Sequence, residues 1–220
     1  MPQVKKEHYF QKRYDDLERF ISYFYQIDLA REDKPETILE IGKGNGTVSD
    51  YLKKLDYKVT TCDFDENLKP DYVVDVRKLP FPDNSFDAIL AYEVLEHLPF
   101  EDFEKALGEL GRVSKKIVLI SLPYRSTGFE WIFKFPLIKT LFKKDFFDLF
   151  LRIPLKFGGI EVSGQHYWEI DGGQYPIRKI RKFLKKNFLI LKELRRPLNH
   201  YHYFFTLEKK SYENNNFGHS

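Results

Sequence analysis

A short apolar run, Thr37-Ile38-Leu39-Glu40-Ile41, breaks into Gly42-Lys43-Gly44-Asn45-Gly46 and continues into Val48, Tyr51, Leu52 and Leu55 at helical spacing. A buried strand, a glycine turn and an amphipathic helix in that order open a layered α/β domain. Glycines at this junction let the chain turn tightly and leave bare backbone against which a ligand can lie. Alone, such a turn is also compatible with a plain strand-to-helix connection. A second feature narrows the choice. Asp63, 21 residues beyond Gly42, ends the next predicted strand, where a carboxylate can accept hydrogen bonds from both hydroxyls of a ribose.

The alternation continues. Predicted strands at 72–74 and 86–91 end at Asp75 and near Glu93, so three strands finish in an acid. A helix over 101–113, with Phe103, Leu107 and Leu110 on one stripe, leads into an apolar strand at 116–122 closed by Pro123. A basic helix with Ile177, Ile180, Phe183 and Leu184 inward precedes strands at 188–194 and 201–207, joined by Pro197-Leu198-Asn199. That short turn makes the last pair antiparallel. The pattern predicts a seven-stranded, mainly parallel sheet with helices on both faces and an antiparallel last strand.

Two segments stand outside this rhythm. Phe10, Tyr14, Leu17, Phe20, Ile21 and Phe24 predict an amphipathic helix over 8–29 whose apolar face packs on the domain. Residues 124–175, rich in aromatics and holding Gly158-Gly159 and Gly172-Gly173, show no strand-helix repeat and read as an insertion after the fifth strand. The expected organisation is one domain over 1–210, with an N-terminal helical cap at 1–35, a substrate-side insertion at 124–175 and a disordered tail at 211–220. Hydrophobic residues make up 42% of the 220, enough for such a core. Cys62 stands alone, which excludes an internal disulfide framework and a multi-cysteine zinc site. No signal-like segment opens the chain and no uncharged run of ~18 apolar residues occurs, so a cytoplasmic protein is expected.

The glycine spacing bears on the ligand. Dinucleotide sites favour G-x-G-x-x-G, whose helix N-terminus holds a pyrophosphate; this turn is G-x-G-x-G. Glu40 is a poor neighbour for pyrophosphate and a good one, directly or through water, for a cationic amino-acid group. S-adenosylmethionine has such a group and no phosphate.

Four pieces occur in order: ILEIGKGNG, TTCDFDEN, VVDVRKLPFPDNSFDAI, and AYEVLEHL before a helix and KKIVLISLP. In this the chain resembles the class I S-adenosylmethionine-dependent methyltransferases, in particular the broad group that includes the menaquinone and ubiquinone pathway enzymes. The resemblance covers about 36–123 and implies a Rossmann-like fold. It further implies that Gly42, Gly44 and Gly46 underlie the methionine part with Glu40, that Asp63 binds the ribose, and that Phe64 packs on the adenine. Asp75, Val76 and Arg77 would border the adenine edge, and Ala91, Tyr92 and Glu93 would run beside the cofactor. Glu96 and His97 would open the next helix on the substrate side. Lys43 is a departure, pointing either to solvent or to substrate. Asp87 reads as a loop-fixing residue.

Because the sulfonium already activates its methyl carbon, the protein mainly aligns an acceptor and excludes water. For a hydroxyl acceptor, His97 and His166 are candidate bases, with Glu169 beside His166 in Gly164-Gln165-His166-Tyr167-Trp168-Glu169. His97 is equally readable as a structural residue. No metal is assigned. The expected acceptor is a small molecule, a lipid-linked compound or a glycan, with O-methylation favoured. Phe129, Trp131, Phe133, Phe142 and Phe147, interleaved with lysines across 129–157, suit a lid, a dimer surface or peripheral membrane contact. The alternative is an RNA-directed methyltransferase or a nucleic-acid-binding module using 178–196, where nine Lys/Arg face one Glu. The absence of an Asn-Pro-Pro-Tyr type motif after the fourth strand counts against it.

Overall fold

The computed structural model describes residues 6–11, 14–125, 127–153, 165–171 and 174–210. The pairs Gly158-Gly159 and Gly172-Gly173 and the tail at 211–220 lie outside them. The elements run α1 (Leu17–Arg31), β1 (Thr37–Ile41), α2 (Thr47–Lys54), β2 (Lys58–Asp63), β3 (Tyr72–Val73), β4 (Phe86–Tyr92), α3 (Phe103–Val113) and β5 (Ser114–Pro123). They continue as β6 (Thr127–Phe133), α4 (Ile138–Phe142), β7 (Phe147–Ile153), α5 (Ile177–Asn187), β8 (Phe188–Arg196) and β9 (Asn199–Lys209).

Seven strands form one sheet in the order β3-β2-β1-β4-β5-β9-β8, parallel except for β9, which pairs antiparallel with both β5 and β8. The chain builds outward from β1 through β2 to β3, then returns to add β4 on the other side of β1. In such a doubly wound sheet the loops after β1 and β4 diverge to opposite faces and leave a crevice beyond the strand ends. Strand side chains alternate between two buried layers. Leu39, Ile89, Val118 and Phe205 join α3, α5 and the fully buried Trp168 on one face; Ile38, Leu90, Leu119 and Phe204 join α1 and α2 on the other. Burial on both faces explains why these strands read as unbroken apolar runs.

Three local expectations are corrected. Most of the predicted apolar stripe does not face the core: Ile21 packs on it, but Phe10, Leu17, Phe20 and Phe24 are exposed, and α1 buries Ser22, Tyr23, Tyr25, Gln26, Leu29 and Ala30. Polar anchoring sets that phase. Asp16 caps the helix by accepting from the Arg19 amide, Ser22 bonds His202 at 2.8 Å, and the Asn45 amide donates to Tyr23. Glu96 and His97 do not open an α-helix; Leu95–His97 is a single 3-10 turn ended at Leu98 and followed by Pro99. The insertion contains regular structure, because β6 and β7 pair antiparallel as a separate two-stranded ribbon.

Candidate active site

A cleft of about 900 Å³ opens beyond the carboxyl ends of the parallel strands, lined by the turns after β1, β2, β3 and β4, by the N-terminal segment and by the start of β9. Its floor is the glycine turn. Gly42 has φ +78°, and a Cβ there would overlap Val94 Cγ2; Gly46, at φ +81°, starts α2. Only glycine meets the first condition without strain. Gly42 and Gly44 line the cleft, whereas Gly46 turns behind it. Lys43 lines the cleft, and its ammonium donates to the Lys69 carbonyl at 2.7 Å in an exposed position.

Glu40 is buried at the cleft, and its Oε2 has no hydrogen-bond partner among the described residues. Burial pushes its carboxyl up to about 8, against the pull of the Ser49 hydroxyl. Asp63 also faces the cleft. It accepts from the Gly44 amide at 3.2 Å and the Asp65 amide at 2.9 Å, which fixes the carboxylate between the first two turns. Burial raises its pKa despite those bonds. Phe64 lines the cleft with its ring half exposed.

Asp75, Val76 and Arg77 border the same space, but the Asp75 carboxylate is occupied. Arg77 Nε donates to both of its oxygens at 2.9 Å, and Arg77 also reaches Asp102 at 2.6 Å. Ala91 is buried in the core and does not line the cleft, whereas Tyr92 and Glu93 do. Asp87 ties strand starts together rather than a loop: from β4 it accepts from the Thr37 amide and hydroxyl of β1, both at 2.8 Å, and from Lys115 of β5.

The far wall brings the candidate catalytic residues together. The His97 and His166 rings meet edge to face with centroids 5.0 Å apart. His97 Nδ1 lies 2.8 Å from the Gln165 carbonyl and His166 Nδ1 lies 2.9 Å from Glu169 Oε1. Each partner can only accept when Glu169 is ionised, so Nδ1 carries the proton in both rings and Nε2 is the basic nitrogen. Burial lowers the His97 pKa and keeps that ring neutral. Glu169 is buried and held by Tyr201 at 2.8 Å and Arg125 at 3.1 Å as well as by His166. Burial would raise its carboxyl, but the bonds from His166 and Tyr201 outweigh it and hold the pKa below the usual value.

Glu93, at φ +54°, accepts from Ser121 at 2.6 Å and pairs with His202 Nε2 at 3.1 Å. Burial opposes its ionisation, yet the His202 charge and hydrogen bond keep it ionised. Glu96, fully buried nearby, is pushed the other way: burial and the Glu93 carboxylate raise its pKa well above the carboxylate range. Glu96, His97 and His166 bring one donor atom each within 4.8 Å, and neither Glu96 carboxyl oxygen has a hydrogen-bond partner among the described residues.

Sequence reasoning missed Tyr14, Arg19 and Tyr23 from the N-terminal segment and Asn199, Tyr201 and His202 from β9, all of which line the cleft. The β9 residues had a signal. An antiparallel strand begins at the edge where its parallel neighbours end, so the polar run Asn199-His200-Tyr201-His202 had to arrive at the crevice. The basic helix does not reach the cleft, and part of its charge is paired, Arg181 with Glu193 and Lys186 with Glu104.

Residues 39–120 match a family model described as a methyltransferase domain. No curated protein matches the sequence. Among solved structures, a 1,6-didemethyltoxoflavin-N1-methyltransferase of Burkholderia thailandensis, with bound 1,6-didemethyltoxoflavin and S-adenosylhomocysteine, is similar at TM-score 0.60 and 15% identity. The match covers 93% of this chain and 85% of that one. Magnesium protoporphyrin IX methyltransferase of Synechocystis PCC 6803, with bound S-adenosylhomocysteine, gives 0.60 and 15%, over 88% and 84% of the two chains. A SAM-dependent methyltransferase of Aquifex aeolicus gives 0.59 and 17%, over 94% and 100%. Sheet order, glycine turn and strand-end acids, with the methyltransferase-domain match over 39–120, give this chain the fold of the class I S-adenosylmethionine-dependent methyltransferases.

Proposed function

We propose that the enzyme methylates a hydroxyl group on a small-molecule, lipid-linked or glycan-type acceptor. The observation that carries this reading is the His166–Glu169 pair on the acceptor wall, with the Glu169 carboxylate fixed by Tyr201 and Arg125. The other carboxyls described there are turned to their own surroundings: Glu93 pairs with His202 and Ser121, and burial beside Glu93 raises the Glu96 pKa. An acceptor hydroxyl would find the Tyr201 oxygen as a partner and, at His166 Nε2, the basic nitrogen it needs to lose its proton on attack, whereas a neutral amine attacks with its own lone pair and needs no base beforehand.

The donor set fits S-adenosylmethionine. Glu40 Oε2, without a partner among the described residues, suits its cationic amino-acid group, bare backbone at Gly42 and Gly44 suits the methionine part, Asp63 suits the ribose and the exposed Phe64 ring suits the adenine. Asp75, Val76 and Arg77 offer backbone and the guanidinium stem rather than a free carboxylate. When bound, the cofactor supplies an electrophilic methyl group. His166 takes the acceptor proton at Nε2 while Glu169 accepts from Nδ1–H and stabilises the resulting cation. Tyr201 and Arg125 hold Glu169 in place, and the His97 ring packs against His166.

The first test is calorimetric titration with S-adenosylmethionine, S-adenosylhomocysteine and NAD, comparing the native chain with Asp63→Ala. Binding of the first two alone, weakened in the variant, supports the site. Labelled methyl transfer to paired hydroxyl and amine acceptors then tests the chemistry. Hydroxyl transfer lowered ~10²–10³-fold in kcat by His166→Gln, with S-adenosylhomocysteine affinity unchanged, is the expected result. Transfer to amines alone, or an indifferent His166→Gln, refutes it.

A further inference from the structure

The β6–β7 ribbon has two unlike faces. Its inner face is bolted to the start of β9: Phe150 stacks on His200 at 3.9 Å, and Glu130 pairs with His200 at 2.9 Å and accepts from the Leu198 amide at 3.0 Å. Arg152 adds hydrogen bonds to Tyr124 and Asp171 at 2.8 and 2.9 Å. Glu130, Phe150 and Arg152 all belong to the same alternate set of the two strands.

The outer face has no such role. Cross-strand register pairs Phe129 with Leu151, Trp131 with Leu149, and Phe133 with Phe147, giving a three-rung ladder without a polar side chain. Five of its six members are 43–59% exposed, and the sixth, Phe147, lies against Phe135 and Phe142, themselves exposed. Leu137 and Leu141 of the α4 segment are each 67% exposed and extend the same apolar character. A contiguous exposed surface of this kind marks an interaction site.

The surrounding charge selects the occupant. Lys134, Lys139, Lys143 and Lys144 punctuate this segment against two exposed acids, Asp145, which pairs with Lys139, and Asp148. A second copy meeting the face across a two-fold axis would oppose these lysines to their equivalents. Lysine is also depleted in protein–protein interfaces, whereas long basic side chains around an aromatic and aliphatic face are the composition of a surface that lies at a membrane boundary. No helix among the described residues is long and apolar enough to cross a membrane, so contact would be peripheral.

We propose that the outer face of the β6–β7 ribbon, with α4, docks this enzyme onto an anionic phospholipid surface. The ladder enters the headgroup boundary and the lysines meet lipid phosphates. His200, which the ribbon grips from outside, lies between Asn199 and Tyr201 of the cleft wall, so docking would set the cleft mouth near the lipid. The proposal stands apart from the hydroxyl-acceptor reading, because it concerns a surface that lines no part of the cleft.

Flotation of the full chain with vesicles tests it, comparing phosphatidylcholine alone with phosphatidylcholine containing phosphatidylglycerol at low and high salt. The chain is expected to float with the anionic vesicles, about tenfold more than with neutral ones, and to be released by salt. Trp131→Ser combined with Leu149→Ser should abolish flotation, and Lys143→Glu with Lys144→Glu should lower it about tenfold or more. Both positions in each pair are exposed, and unchanged S-adenosylhomocysteine affinity would certify the fold. Three outcomes would overturn the proposal. They are no flotation of the native chain, flotation that survives the ladder variant, or a native dimer in sedimentation that the ladder variant converts to monomer without any vesicle binding.

Discussion

Gly42→Ala tests the glycine turn at one carbon atom. Two costs are readable from the structure. At φ +78° an alanine sits in the left-handed region, which disfavours an L-residue by ~1–2 kcal/mol. Its Cβ would also press into Val94 Cγ2, and overpacking of this kind costs about 1–3 kcal/mol because the Val94 side chain is partly buried against the core. The sum is ~2–5 kcal/mol, large beside the stability of a typical domain. Urea unfolding of Gly42→Ala, Val94→Ala and the double variant separates the two. Removing the valine methyls relieves the overlap but leaves the dihedral penalty, so the cycle should show a favourable coupling of about 1–3 kcal/mol. Binding of S-adenosylhomocysteine should fall at least tenfold in the single variant, because the displaced turn is the cleft floor. Additive single effects, or native-like affinity in Gly42→Ala, would refute the claim that close approach to Val94 fixes this turn.

Other expectations rest on single groups. Glu40, raised from 4.5 to about 8 by burial, binds more protons folded than unfolded across that window, so it makes stability fall as pH rises from about 4.5 to 8; Glu40→Gln should flatten that part of the profile in thermal unfolding. The same group predicts that affinity for S-adenosylhomocysteine increases between pH 6 and 8 in the native chain and is flatter in the Gln variant. Asp87 is held down to about 2, first by its hydrogen bond from Lys115, so its stabilisation is present above pH 4 and lost as pH falls toward 2. Asp87→Ala should cost about 1–2 kcal/mol at pH 7, with cofactor affinity unchanged in calorimetry. Trp168, fully buried and donating to the Leu98 carbonyl at 3.1 Å, should cost ~3–5 kcal/mol as Ala in urea unfolding.

What was legible in the sequence was whatever a short window encodes. β1, the glycine turn and α2 carry their own periodicity, and Asp63 follows because a strand of fixed length must end where the turn began. The seven strands and the single antiparallel reversal were legible for the same reason. The N-terminal helix was misread because α1 follows the exception to apolar burial. Its inner face combines apolar contacts through Tyr23, Tyr25, Leu29 and Ala30 with a buried polar link of Ser22, Gln26 and His202, and Phe20 and Phe24 are left outside. No local pattern announces that a partner surface is polar. The ribbon was illegible for a related reason: with apolar residues at nearly every position of 129–133, the period of two is masked, and only the partner strand shows which alternate set is covered. Asp75 illustrates a third limit, since its position at a strand end was plain but its capture by Arg77, two residues away, depends on a bend in the backbone between them.

The segment around Trp168 ties these levels together. The Tyr167 amide donates to the Glu96 carbonyl at 2.9 Å and the Ile170 amide to the Pro123 carbonyl at 2.9 Å, so residues 167–170 are stitched to the ends of both central strands. Trp168 and Ile170 anchor this stretch in the core, and that leaves the intervening Glu169, together with His166, directed at the cleft wall with three hydrogen-bonding partners on one carboxylate. His166, the base of the proposed reaction, lies in the insertion but draws its position from the sheet through these bonds. Variation elsewhere in the insertion can therefore change what reaches the cleft without moving this ring.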